Sequence, residues 1–150
     1  EDGLADASKH GEIAVSHDLC PGVRVVSGSR DAVAAFQVPG AVLTETDARQ
    51  GAHSPLAADA AAAYDALLVQ ALAGAATLAH PLHVAAPAGG VATDAAAAGD
   101  ALRGSLGRPV AWRAAMERLL AAGATHFADA GGGAQLRAFG ERCGAGAWLW

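Results

Sequence analysis

The hydrophobic pattern changes character along the chain. In the first fifty residues the apolar positions fall in short runs. GEIAVS, from residue 11, and VRVVSG (23–28) are partly β-branched and are separated by HDLCPG. Pro21-Gly22 is turn chemistry, so two strands flanking a loop are predicted. Ser29 can cap a short helix, SRDAVAAF, that ends before Pro39-Gly40. AVLTET (41–46) reads as another strand, with Val42 and Thr44 on one side and Leu43 and Glu45 on the other. The corner GAHSPL (51–56) follows.

From Leu56 to Leu72 the spacing becomes helical, with Tyr64, Leu67, Leu68, Ala71 and Leu72 on one face. Asp59 lies in the first turn, where the helix dipole favours a negative charge. LHVAA (82–86) reads as a short strand. Beyond a glycine-containing loop, Thr93 is a candidate cap for an alanine-rich helix that ends near Gly104. LGRPVAW places Pro109 in the first turn of a strong helix. On that helix Trp112, Met116, Leu119, Leu120 and Gly123 form the buried face, with Arg113, Glu117 and Arg118 pointing out. THFADA (125–130) is predicted as a buried strand. Gly131-Gly132-Gly133 turns from it into the helix AQLRAFGER. Alternating strands and helices in the second half favour a parallel α/β sheet beside a smaller β-β-α-β unit.

The 150 residues fit one domain, with 10 Lys+Arg against 15 Asp+Glu and a formal net charge of -5. With no basic block, a phosphate-tracking nucleic-acid surface is not expected. Alanine dominates the apolar fraction, which predicts close packing and a weak core. No uninterrupted apolar run is long enough to span a membrane, and the acidic start EDGLADASKH is unlike a signal peptide. It also lacks an initiator Met, which suggests processing or a longer parent. Cys20 and Cys143 have neither C-x-x-C nor metal-ligand spacing. A reducing, cytoplasmic setting is therefore expected, with no metal and no cofactor.

His53, before Ser-Pro at an exposed corner, is the candidate base, and a base needs a nucleophile. Ser54 is adjacent but points the other way in an extended segment. RGSLG (103–107) has Arg103 where a nucleophile elbow needs its first glycine, and it follows a helix rather than a strand. VSGSRD (26–31) fails at its closing glycine. The triple glycine could hold an anion at a helix start, but it lacks a dinucleotide fingerprint. His80 and His83 would lie on opposite strand faces. His126 reads as a packed core residue, and His17-Asp18 as a local pair. Trp148 and Trp150 could anchor a neighbour or belong to a last strand.

Three stretches, in order, carry a resemblance. VSHDLCPGVRVVSGSRDAV (15–33) is similar to a family segment A-N-D-N-A-P-G-Q-V-V-I-S-G followed by a short helix. GAHSPLAADAA (51–61) is similar to F-H-S-x-L-M-x-P-A. LRGSLGRPVAWRAAMERLLAAGATHFADAGGGAQLRAFGERC (102–143) is similar to L-x-x-Q-L-x-x-P-V-x-W, a helix, G-V-x-x-F-x-E-x-G-P-G and a closing helix. Together they resemble the malonyl-CoA:acyl carrier protein transacylase family and the related acyltransferase domains of polyketide and fatty acid synthases. Only the C-terminal half of that family is matched. The family's asparagines around the Asp are His17 and Leu19 here, Val23 stands for its glutamine, and G-P-G is Gly131-Gly132-Gly133.

The resemblance implies an α/β fold. Residues 1–50 would form part of a ferredoxin-like small subdomain, and 51–150 the C-terminal part of a large α/β-hydrolase-like acyltransferase subdomain. It implies malonyl transfer from CoA to the phosphopantetheine thiol of an acyl carrier protein through a serine acyl-enzyme. His53 takes the place of the general base, and Ser105 that of the residue whose main-chain carbonyl holds the histidine ring. The serine elbow and the malonyl-binding arginine precede the matched region, so the chain alone is expected to be inactive. The implied partners are an acyl carrier protein, a CoA thioester and an N-terminal half bearing the nucleophile. The alternatives are a fragment of a malonate decarboxylase epsilon-type malonyltransferase and a non-catalytic carrier-docking module.

Overall fold

The computed structural model describes residues 2–45, 51–74, 78–85, 90–131 and 134–149. It is a mixed α/β structure that opens with helix α1 (Asp2–Ala7) and a 3-10 turn, Ser8–His10. Strands β1 (Ile13–Cys20) and β2 (Val23–Gly28) form an antiparallel hairpin. The loop expected at HDLCPG shrinks to Pro21-Gly22, because His17, Asp18 and Cys20 are all paired across the hairpin. Register shifts beside Ser16 and Leu19 absorb the extra residues. Gly22 takes the left-handed conformation (φ 77°) that the tight turn needs. Helix α2 (Arg30–Ala35) is capped as expected, with Ser29 Oγ accepting from Ala32 N–H.

The strand expected at 41–46 is not formed over 41–45, and Thr46 lies outside the described residues. No described segment pairs with 41–45, and Val42 is 93% exposed. β-Branched residues favour a strand only where a neighbour supplies the ladder.

A 3-10 turn at Pro55–Ala57 leads into α3 (Ala58–Leu72), with Asp59 in its first turn. Its inner face differs from expectation. Ala61 is buried and Tyr64, Asp65, Leu68 and Leu72 are half-buried, whereas Leu67 and Ala71 face solvent. Asp65 lies inward because its carboxylate has a partner there. Strand β3 (Leu82–His83) is shorter than LHVAA and pairs antiparallel with β4 (Val91–Ala92). Helix α4 (Ala95–Leu102) is capped by Asp94, not Thr93. The extended backbone of Asp94 lets Oδ1 accept from Ala97 N–H at 2.8 Å.

Helix α5 (Trp112–Ala121) begins three residues after Pro109. Residues 110 and 111 are spent elsewhere, Val110 bridging β1 and Ala111 N–H donating to Ala85 O. Met116 and Ala115 are its buried residues. Arg118, expected to point out, donates from Nη2 to Val84 O at 2.9 Å. Strand β5 (His126–Ala128) pairs parallel with β6 (Ala147–Leu149) on either side of α6 (Ala134–Arg142). Among the described residues the second half thus has two separate two-stranded pairs, one parallel and one antiparallel, in place of a continuous parallel sheet. β5 is not buried, since His126 and Ala128 are exposed and Phe127 is half-buried. Phe127 stacks on Trp148 of β6, with ring centroids 5.4 Å apart. Gly140 of α6 is buried against that indole, where any Cβ would overlap Trp148 Cζ2. Trp150 lies outside the described residues.

Candidate functional site

Ser54, Pro55 and the 3-10 turn they start give the 51–57 corner its shape. Ser54 is buried, and its hydroxyl donates to Gly51 O. Its one proton is thereby spent on the backbone, which removes Ser54 as a nucleophile. Ala57 N–H closes the turn on Ser54 O.

His53 has φ 59°, the only positive φ among the described non-glycine residues. Left-handed backbone costs an ordinary residue about 1–2 kcal/mol and persists where the surroundings over-determine it. Two bonds do so here. The His53 N–H donates to Leu106 O at 2.6 Å, and ring Nδ1 lies 2.9 Å from Ser105 O. A carbonyl only accepts, so Nδ1 carries the proton and Nε2 of the neutral ring keeps its lone pair. Among the described residues no hydroxyl or thiol bonds that nitrogen.

The Ser105–Gly107 turn is itself held. Gly104, left-handed at φ 68°, follows α4 and donates its N–H to Asp65 Oδ1 of α3 at 2.8 Å. Gly104 O accepts from Gly107 N–H at 3.1 Å and from Arg108 Nε at 3.3 Å. The inward position of Asp65 on α3 thus positions the carbonyl that positions His53.

The same segment reaches the hairpin three residues later. Val110 N–H donates to Ser16 O at 2.8 Å, and Asp18 N–H donates to Val110 O at 2.9 Å. This bridge brings His17 of β1 against His53, the rings 5.0 Å apart at 75°, edge to face. Ser16, fully buried, donates its hydroxyl to Val25 O at 3.2 Å. Its oxygen is therefore free to accept from His17 Nδ1, 3.1 Å away. Burial, and behind it the neighbouring His53, holds His17 neutral to lower pH than a free imidazole.

Sequence reasoning treated His17 as part of a local pair with Asp18, and its place beside His53 was missed. The resemblance to the 15–33 segment flagged the position as a departure, and that was the only available signal. Asp18 instead faces Arg24, 3.6 Å away across the hairpin. His126 is not a core residue; it is exposed and bonds Thr125 Oγ1 at 2.9 Å. His80 is exposed and His83 half-buried. Gly132 and Gly133 lie outside the described residues. Cys20 and Cys143 are free thiols, and burial pushes Cys143 up from the usual thiol range.

Among the described residues no group of three or more His, Cys, Asp or Glu could hold a metal ion. No described helix is long and apolar enough to cross a membrane. A cleft of about 390 Å³ is lined by Trp112, Met116, Phe127, Leu136 and Trp148. It is apolar and separate from the His53 corner.

No family model matches the chain, and no curated protein matches it significantly. Solved structures do. A malonyl-CoA:acyl carrier protein transacylase from Xanthomonas oryzae pv. oryzae superposes with a TM-score of 0.82 at 25% identity, over 98% of this chain and 48% of that one. An acyl-carrier-protein S-malonyltransferase from Burkholderia pseudomallei gives 0.78 at 22%, over 99% and 50%. A type II polyketide-synthase acyl carrier protein in complex with its malonyl-transacylase gives 0.81 at 18%, over 99% and 50%. In fold, this chain belongs with the malonyl-CoA:acyl carrier protein transacylases, of which it spans about half the length.

Proposed function

We propose that the chain is the C-terminal portion of an acyltransferase that moves a malonyl or related acyl group from CoA to the phosphopantetheine thiol of an acyl carrier protein. The observation that supports this most is the pinned imidazole. His53 sits in a strained corner with Nδ1–H committed to Ser105 O and a bare Nε2. An imidazole so held is a proton acceptor of fixed tautomer, as acyl transfer requires.

In the proposed reaction the nucleophile is a serine from outside these 150 residues. His53 Nε2 takes the serine proton as its oxygen attacks the thioester carbonyl. The tetrahedral intermediate then expels the CoA thiolate, which leaves with that proton as CoA-SH. In the second half-reaction Nε2 deprotonates the carrier's thiol, whose sulfur attacks the acyl-serine. The proton returns to the serine oxygen. Ser105 acts through its carbonyl, which accepts the Nδ1–H and stabilises the imidazolium formed in each step. The division into 1–50 and 51–150, the ferredoxin-like and hydrolase-like descriptions, a cytoplasmic setting and a role in fatty acid or polyketide biosynthesis belong to the same proposal.

The test combines this chain with the nucleophile-bearing half of a structurally similar transacylase. Malonyl-CoA is added and the serine adduct is followed by mass spectrometry. We expect malonyl-serine in the mixture and none on the chain alone. His53→Ala should slow transfer to a holo carrier protein by about 10²–10⁴-fold. A malonyl adduct on the isolated chain would overturn the reading. A folded, inert complex that still binds carrier protein would replace it with a docking module.

A further inference from the structure

We propose that His17 is a positioning residue for His53: its neutral ring, oriented by Ser16, braces the imidazole of His53, and protonating His17 releases that brace. The inference rests on reading His53 as the base.

Three features of the structure converge on it. First, the two rings are in contact, edge to face at 5.0 Å. Second, His17 is not free to turn. Its Nδ1 lies 3.1 Å from the oxygen of a fully buried hydroxyl already donating to Val25 O, so the ring is an Nδ1–H tautomer in a defined orientation. Third, the His53 corner and the His17 strand are tied to one short segment, His53 to Ser105 and Leu106, and the backbone on either side of His17 to Val110. The hairpin and the corner are therefore held to the same segment, the hairpin through the Val110 bridge and the corner through the His53 bonds. Ser105 O and Leu106 O bond His53, and the His17 ring packs against its imidazole.

The titratable and charged groups around this strand include His53 at the corner, Asp18 and Cys20 along β1, Arg24 across the hairpin, Arg113 and Glu117 of α5, Arg142 at the end of α6, bonded to Pro21 O, and Cys143 after it. Burial and the neighbouring His53 are what hold His17 neutral. A neutral His17 leaves the imidazolium formed by His53 during proton transfer unopposed. A charged one sets two like charges side by side.

The test uses the chain itself and needs no turnover. Solvent exchange of the His53 Nδ1–H, bonded to Ser105 O, is followed by NMR from neutral to acidic pH while the His17 ring is titrated in the same samples. In the wild type we expect protection at neutral pH that is lost in step with His17 protonation. His17→Phe, which keeps a ring and loses the charge, should hold protection through that range. His17→Ala, without a ring, should exchange about tenfold faster at every pH. Should His17→Phe not fold, His17→Asn keeps a donor toward Ser16 Oγ without titrating, and the acid step should vanish there too. Wild-type protection in His17→Ala, or an unchanged acid step in the non-titrating variants, overturns the proposal. Malonyl transfer is measured separately, and its insensitivity to His53→Ala sinks the base but not the brace.

Discussion

At the level of single residues, His53 combines a strained backbone with two bonds that justify it. Asn tolerates left-handed backbone better than most residues. His53→Asn should therefore change stability little while removing the imidazole, so that denaturant midpoints stay close and transfer in the complemented enzyme collapses. His17 gives a pH dependence of definite sign. Its folded-state pKa is depressed below the ordinary 6.5. Below 6.5 the unfolded chain binds the proton more readily than the folded one. Stability is therefore present at neutral pH and drains away as pH falls toward the folded value. The part of the acid-side decline in midpoint that His17→Asn removes measures this contribution. The positions of these two residues were legible to different degrees. His53 stood out in the sequence because His-Ser-Pro marks a corner. His17 did not, because a bulged hairpin and a one-residue bridge to Val110 bring it there.

At the level of elements, caps and turns followed local chemistry, whereas the pairing of strands in the second half did not. Ser29 and Pro21-Gly22 act within a few residues of themselves, and both were legible. The one-residue error at Thr93 reflects two adjacent capping types, of which Asp94 has the carboxylate and the extended backbone. Asp94→Ala should cost about 1 kcal/mol, read as a lower denaturant midpoint at constant slope. Asp65 bears more directly on the site. Its bond to Gly104 N–H is charge-assisted and partly buried, so Asp65→Ala should cost about 1.5–3 kcal/mol. It should also loosen the Ser105–Gly107 turn, which a faster exchange of the His53 Nδ1–H would report. The strand expected over 41–45 and the continuous parallel sheet expected in the second half are missing among the described residues for a common reason. A strand is stabilised by its neighbours, and the described residues supply those only in pairs.

For the whole molecule, the buried apolar side chains among the described residues are mostly alanines, with Cys20, Val84 and Met116 the larger members. Each alanine removes little area from water. Meanwhile Leu67 is 64% exposed, Val69 56% and Leu149 56%. Exposed apolar surface of this kind invites association. We expect the isolated chain to self-associate and to unfold over a broad transition, and Leu67→Ser with Val69→Ser to shift its sedimentation toward monomer. A sharp two-state unfolding of a clean monomer would count against this.

By itself the sequence determined the punctuation of the chain: the Pro21-Gly22 turn, the Ser29 cap, the long helix after Pro55, and a histidine at a corner. Each depends on side chains reaching backbone groups a few residues away, so residue type and spacing carry the information. Only the tertiary structure decided which strands pair, that Asp65 turns inward to hold Gly104, and that His17 stands beside His53. Even the His53–Ser105 contact, implied by resemblance, joins residues 52 positions apart. Such contacts exist because distant segments share hydrogen bonds, and no local pattern of hydrophobic and polar residues encodes which segments those are.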